Sequence, residues 1–279
     1  MELTLEQKRE KVKDLRPIDD VFFEVLASKP AVCQEMLRTI LEDPKLEVVK
    51  VIPQKSERNI YGRSVRLDAL CYLGDGTRVN IEVQRSDNDN HLKRVRFNAA
   101  SITVNESYTG ESFNDLANVI VVYISEFDFL GGGKTIYHVD QILRETGEKI
   151  EDGLQKIFVN TVNDDGTDIA DLMSCFTRKQ VNNPKFPVLS DEVQGLKQTE
   201  GGLSAMCKVM EHYENIARAE GLAKGRAEGR AEGRAEERRL IAGEMRKKDE
   251  ALAAKDSELV ALRAQLEALR KGGVAPQNA

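Results

Sequence analysis

The chain has no tryptophan, and among its 279 residues there are only three histidines (His91, His138, His212) and four cysteines (Cys33, Cys71, Cys175, Cys207). The histidines fall at no zinc-binding spacing and the cysteines form no Cys-x-x-Cys pair, so neither a structural zinc nor a redox dithiol is expected. No nucleophile and base stand out as a pair, which argues against covalent Cys–His catalysis. Widely separated, inert thiols fit a reduced, cytoplasmic protein. No apolar run approaches the roughly 18 residues of a membrane helix, and residues 1–20 are charged throughout, so neither a membrane span nor a signal peptide is expected. Positive charge is also short. Lys and Arg total 41 against 47 Asp and Glu, a formal net charge of −6. Nucleic-acid affinity comes largely from neutralising phosphates, so this balance excludes a tight nonspecific binder. A transient complex through a local basic patch remains compatible with it.

What the chain does have is a patterned stretch from Arg66 to Arg85, RLDALCYLGDGTRVNIEVQR, in which two apolar runs flank a Gly-Asp-Gly turn. This reads as a β-hairpin. Side chains alternate faces along a strand, so Val79, Ile81 and Val83 share one face, and Asn80, Glu82 and Gln84 share the other. On the first strand Leu67, Ala69, Cys71 and Leu73 make the apolar face and leave Asp68 opposite. The loop length decides whether the polar residues meet. An even loop sends Asp68 and Glu82 to different faces. An odd loop over Asp75-Gly76-Thr77, the expectation adopted, pairs Asp68 with Gln84 and Leu70 with Glu82. Two carboxylates meeting there offer hard oxygen ligands suited to Mg²⁺. A bound cation lowers the pKa of water and neutralises charge on a phosphodiester, and Gln84 projects from the same face to orient water or phosphate. The same residues also fit an ordinary solvent-facing strand, because the spacing alone is a weak signal.

Asp68, the turn and Glu82-Val83-Gln84 resemble the active-site hairpin of the PD-(D/E)XK nuclease superfamily. More closely, the chain resembles its transposase-related branch, the recombination-promoting nucleases. The resemblance rests also on PIDDVFF (17–23), LKRVRF (92–97), IVVYISEFD (120–128), IFVNT (157–161) and DIADL (168–172), and spans roughly residues 15–180. It implies a restriction-endonuclease-like α/β core with a mixed sheet flanked by helices. It further implies metal-dependent DNA hydrolysis connected with recombination or transposition. Asp68 and Glu82 would hold Mg²⁺ or Mn²⁺, with Asp20 as an outer metal-site candidate. Gln84 stands where most of the superfamily has lysine and supplies no positive charge. The alternative is therefore a catalytically degenerate module that binds DNA or protein.

The remaining elements follow from periodicity. Residues 1–16 are a charged helical prelude, with helix at 3–14. A core at 17–200 begins with Pro17, and Asp19 or Asp20 is placed to cap the first core helix. Residues 31–42 continue as helix, with Met36, Leu37, Ile40 and Leu41 inward. Leu46–Pro53 alternates as a strand ending at its proline. Asn90–Glu106 is an amphipathic helix with Leu92, Val95, Ala99 and Ile102 inward. Its polar side carries Arg94, Asn98, Ser101 and Asn105, and Arg94 is the first candidate for phosphate contact. Residues 118–125 form a buried central strand, 134–140 an edge strand and 155–161 a further strand, with a turn at 163–167 capping the next helix. Residues 201–238 carry an Arg-Ala-Glu-Gly repeat, read as a helical stalk softened by glycine. Met245, Leu252, Leu259 and Leu266 repeat every seven residues, with Leu262 and Leu269 between them, so 239–271 reads as a coiled coil able to form a homo-oligomer. Residues 272–279 are expected to be a disordered tail.

Overall fold

The computed structural model describes residues 4–57, 63–87 and 90–272; apart from Gly272, the expected tail lies outside them. β-branched and aliphatic runs build a six-stranded mixed sheet. Its strands are β1 (Val48–Glu57), β2 (Val65–Leu73), β3 (Arg78–Gln84), β4 (Val119–Ser125), β5 (Ile136–Val139) and β8 (Leu154–Asn160), while β6 (Gln141–Ile142) and β7 (Lys149–Ile150) form a separate ribbon. The order is β1-β2-β3-β4-β8-β5. β3, β4 and β8 run parallel, and antiparallel strands flank them on both sides. The near-continuous apolar run of β4 is explained by this central position, covered on both faces. β1 does not stop at Pro53 as expected. It passes through Pro53 to Glu57, and it is an edge strand, where a missing N–H is tolerated.

The hairpin loop is odd, as expected, but lies one residue earlier. Leu70 pairs with Asn80, Cys71 with Val79 and Tyr72 with Arg78, and Leu73 N–H donates to the Thr77 carbonyl at 2.9 Å. The loop is thus Gly74-Asp75-Gly76. Asp75 accepts from Thr77 N–H at 2.9 Å and Thr77 hydroxyl at 3.1 Å, while Gly76 takes φ 90°, a conformation open to glycine. This slides the pairing by two residues from the expected register, in which Leu70 faced Glu82. A shift of two preserves every face along the paired residues, and just past them Asp68 N–H donates to Glu82 Oε1 at 3.2 Å.

Helices cover both faces. On one, α4 (His91–Asn105) packs Val95, Ala99 and Ile102 against Leu70, Val121, Tyr123 and Phe158. Leu92, expected inward, is half exposed, and His91 is buried instead, held by the Tyr123 hydroxyl at 2.8 Å and Asp87 at 2.9 Å. On the other face α2 (Asp20–Ala27), α3 (Pro30–Ile40), α5 (Asp168–Phe176) and α6 (Pro187–Gln198) bury Phe22, Phe23, Met36, Leu37, Leu172 and Phe176 over Ala69, Val79, Ile81 and Val122. Leu67 was expected on this face but joins the α4 side. The amino-terminal helix α1 (Leu5–Asp14) is anchored by Val12, fully buried in the main core, and by Lys8 to Glu211 at 2.7 Å.

α6 was not anticipated. It turns tightly into α7 (Glu200–Gly272), where the Thr199 hydroxyl accepts from Gly202 N–H at 3.0 Å. Glu200–Tyr213 contributes Met206, Cys207 and Met210 to the core, and the chain divides into compact units at Tyr213/Glu214. From Glu214 onward α7 is almost wholly exposed. No helix among the described residues is long and apolar enough to cross a membrane.

The α6–α7 corner sets a test. A Cβ on Gly202 would lie 2.3 Å from the Gly195 carbonyl oxygen and 2.5 Å from Leu196 Cα, so backbone must move. Gly202→Ala is expected to lower unfolding free energy by about 1–3 kcal/mol despite alanine's better helix propensity. Urea denaturation measures this; an equal or higher midpoint would show that the corner relaxes freely.

Candidate active site

The polar face of β3 does not look into solvent. Because β3 lies between β2 and β4 with α4 across it, Asn80 and Glu82 are fully buried. α4 presents Arg94 and Asn98 one helical turn apart toward them. The β2–β3 ladder ends at Ala69 and Ile81, and side chains take over beyond it. Asp68 Oδ2 accepts Val83 N–H at 3.0 Å, and Glu82 Oε1 accepts Asp68 N–H at 3.2 Å and Asn80 Nδ2 at 3.0 Å. Each carboxylate therefore satisfies backbone of the opposite strand. Alongside Asp68 on β1, between the pairs Pro53–Ala69 and Lys55–Leu67, Gln54 has φ 49°. A left-handed glutamine costs about 1–2 kcal/mol. On β2 beside it, Leu67 and Ala69 pack on opposite sides of the sheet.

Beside this pair opens a cleft of about 270 Å³ lined by Asp20, Asp68, Gln84, Arg85, Ser86 and Arg94. Asp20 reaches it from the first turn of α2 and is exposed at its mouth. Asp19, not Asp20, holds the N-cap position but makes no side-chain cap. It accepts Arg16 N–H at 2.6 Å and pairs with Arg85 at 2.8 Å. Glu126 joins Arg16 at 2.6 Å and Arg85 at 3.2 Å, pinning the loop after β3. Arg94 Nη1 donates to Gln84 Oε1 at 2.8 Å, and its Nη2 lies 3.6 Å from Glu82 Oε2. Gln84 Nε2 donates to the Ser86 carbonyl at 2.8 Å. Asp20, Asp68, Glu82, Gln84 and Arg94 therefore gather in one place, drawn from α2, both hairpin strands and α4.

The electrostatics are costly. Burial, then repulsion from Glu82, pushes the Asp68 carboxyl well above its usual range, opposed by the Val83 N–H. Burial likewise raises Glu82, opposed by Asn80 and Arg94. Asp20 is raised by desolvation, with Arg85 opposing. Glu82 Oε2, Asn80 Oδ1 and both amide atoms of Asn98 are buried without a hydrogen bond of ordinary geometry among the described residues. No group of three or more His, Cys, Asp or Glu side chains is arranged to hold a metal among those residues. An orphaned carboxylate oxygen beside a second desolvated carboxylate is nonetheless a donor set that a hard cation would satisfy, with water and substrate completing its shell.

Asn98 and Asn80 are the site-lining residues that sequence patterning under-read. Alternation put Asn80 with Glu82, and helical spacing put Asn98 with Arg94. Neither pattern showed that this polar strip is sealed between sheet and helix.

The mixed six-stranded sheet flanked by helices is an α/β fold consistent with a PD-(D/E)XK core. A family profile described as PD-(D/E)XK nuclease family transposase matches residues 17–169, just over half the chain. The chain belongs to that family, which supports a role in nucleic-acid cleavage or transposition. Neither the curated proteins nor the solved structures yield a match.

Glu82→Gln keeps the side-chain shape and the acceptor for Asp68 N–H while removing a buried, incompletely bonded charge. Metal-free protein carrying it is expected to be more stable at neutral pH, by about 1–3 kcal/mol. The sign follows from the raised carboxyl. Ionised Glu82 costs stability above its folded pKa, so the advantage of Gln is full there and fades toward the ordinary value of about 4.3 as wild-type Glu82 protonates. Thermal unfolding in chelator across pH decides it; a variant less stable than wild type at every pH would mean that the pairing with Arg94 outweighs desolvation.

Proposed function

We propose that this protein is a divalent-metal-dependent DNA endonuclease acting in recombination or transposition. The observation that carries the reading is the Glu82 carboxylate, fully buried, with Oε2 facing Arg94 at 3.6 Å but without a hydrogen bond of ordinary geometry, and Asp68 adjacent. Ordinary folding selects against such a group, and strongly perturbed carboxylates in a cleft mark functional sites. Asp68 and Glu82 would hold the ion, Mg²⁺ or Mn²⁺, with Asp20 as an outer ligand at the cleft mouth. When bound, such an ion supplies charge neutralisation at a phosphodiester and a more acidic water.

The chain's own residues supply the rest. Gln84, fixed between Arg94 and Ser86, offers an amide able to orient a water or a phosphate oxygen, but no cation. Arg94 and Arg85 bring fixed positive charge to the cleft, and Arg94 is the residue placed to meet phosphate. The net charge of −6 fits a transient rather than a tight DNA complex. Four free, buried cysteines support a cytoplasmic setting. Self-association through 239–271 would bring copies of the domain together.

One observation favours a second reading, that of a non-cleaving binding module. Arg94 already pairs internally with Gln84 and Glu82, leaving the site partly self-neutralised with no lysine at position 84. Nicking of supercoiled plasmid in Mg²⁺ or Mn²⁺, together with metal titration by calorimetry, separates the two. Wild type is expected to cleave, with Asp68→Ala and Glu82→Ala reduced on the order of 10²-fold or more and both losing metal affinity. Arg94→Ala should weaken cleavage while retaining metal. Equal cleavage by wild type and both carboxylate variants would place the activity elsewhere. Metal binding without cleavage would establish the binding module.

A further inference from the structure

The carboxy-terminal unit carries a row of large apolar side chains with nothing packed on them among the described residues. Leu252, Leu259, Leu262, Leu266 and Leu269 are each 50–75 % exposed on α7. In the seven-residue pattern, Met245, Leu252, Leu259 and Leu266 occupy one core position, and Ile241, Lys248, Lys255, Leu262 and Leu269 occupy the other. The positions flanking this seam decide which way a partner helix runs. After the second core position come Asp249, Asp256, Arg263 and Arg270, acidic in the first half and basic in the second. Before the first core position come Glu244, Ala251, Glu258 and Gln265.

We propose that residues 252–269 pair with the same segment of a second copy of this chain in antiparallel orientation, with Leu259 facing Leu262 and Leu252 facing Leu269 of the second copy. This rests on the reading that the tail self-associates, and adds the orientation and register.

Two physical reasons select it. In this register Asp256 meets Arg263 of the second copy, Asp249 and Arg270 come together just past the ends of the paired segment, and twofold symmetry repeats both pairs. A parallel pair would instead set Glu244 against Asp249, leaving Glu258–Arg263 as its one opposite-charge flanking contact. The second reason lies in the seam. A parallel pair stacks Lys248 on Lys248 and Lys255 on Lys255 at the core, whereas the antiparallel register faces Lys255 with Leu266 and carries Lys248 beyond the paired segment. Lysine beside leucine can lay its stem along the apolar surface and keep its ammonium in water. Two lysines facing each other cannot both do so without repulsion.

The test uses full-length protein. Leu252→Cys and Leu269→Cys chains bearing different tags are oxidised each alone and, in a third sample, mixed while reduced and then oxidised; the native cysteines are buried. Cross-linked heterodimer in the mixture, with little homodimer from either chain alone, is the expected result. Homodimer from each chain alone would establish the parallel pair and overturn the orientation while leaving self-association intact. Sedimentation of variants that do not disturb the seam provides the second arm. Asp256→Arg should weaken dimerisation about tenfold, and adding Arg263→Asp should restore it. Failure of the double variant to restore, or monomeric wild type at all accessible concentrations, overturns the proposal.

Discussion

The structure turns on one arrangement: the Glu82 carboxylate sealed beneath α4 with Asp68 beside it. Burying one carboxylate fully and setting a second, partly buried one beside it opposes folding on both counts, desolvation and repulsion. The surrounding structure offsets part of this. Strand backbone donates to each carboxylate, Asn80 donates to Glu82, and Arg94 supplies the opposite charge. What it leaves uncompensated includes Glu82 Oε2, without a hydrogen bond of ordinary geometry beside the similarly orphaned amide atoms of Asn80 and Asn98.

The rest of the domain can be understood as the scaffold that makes this pair tolerable. A central parallel strand, β4, buries β3 on its far side, and α4, packed by Val95, Ala99 and Ile102, closes the top. The edge strand β1 carries a left-handed residue at Gln54, alongside the point where Leu67 and Ala69 of β2 pack on opposite sides of the sheet. The ion-pair group of Arg16, Asp19, Arg85 and Glu126 fixes the loop leaving β3 to α2 and to the end of β4. The part-buried carboxylates and arginines at the cleft are held in place by this surrounding packing.

The carboxy-terminal helix obeys different physics. Its repeat balances arginine with glutamate and interrupts itself with glycine, which keeps the segment charged, exposed and only modestly helical by intrinsic preference. Only near its end do leucines recur closely enough to form a seam. Beyond Tyr213 the segment is almost wholly exposed and adds little to the core's stability.

Alternation and helical period made the hairpin, the buried strand, α4 and the gathering of Asp68, Glu82 and Gln84 on one face legible in the residues, because each is a local pattern repeated over several positions. The loop's odd length was legible too, but its position was not. Asp75 capping Thr77, with glycine at the left-handed site, placed it one residue earlier, and near-equivalent turns differ too little in local chemistry to be told apart. α6 went unseen because Pro187–Gln198 is short and half polar, and its place depends on the close approach of Gly195 and Gly202. Burial of the site was a tertiary matter throughout. A polar face on a strand looks the same in sequence whether it meets water or a helix, and only the packing of α4 across β3 turned Asn80, Glu82 and Asn98 from surface residues into a sealed, electrostatically strained centre.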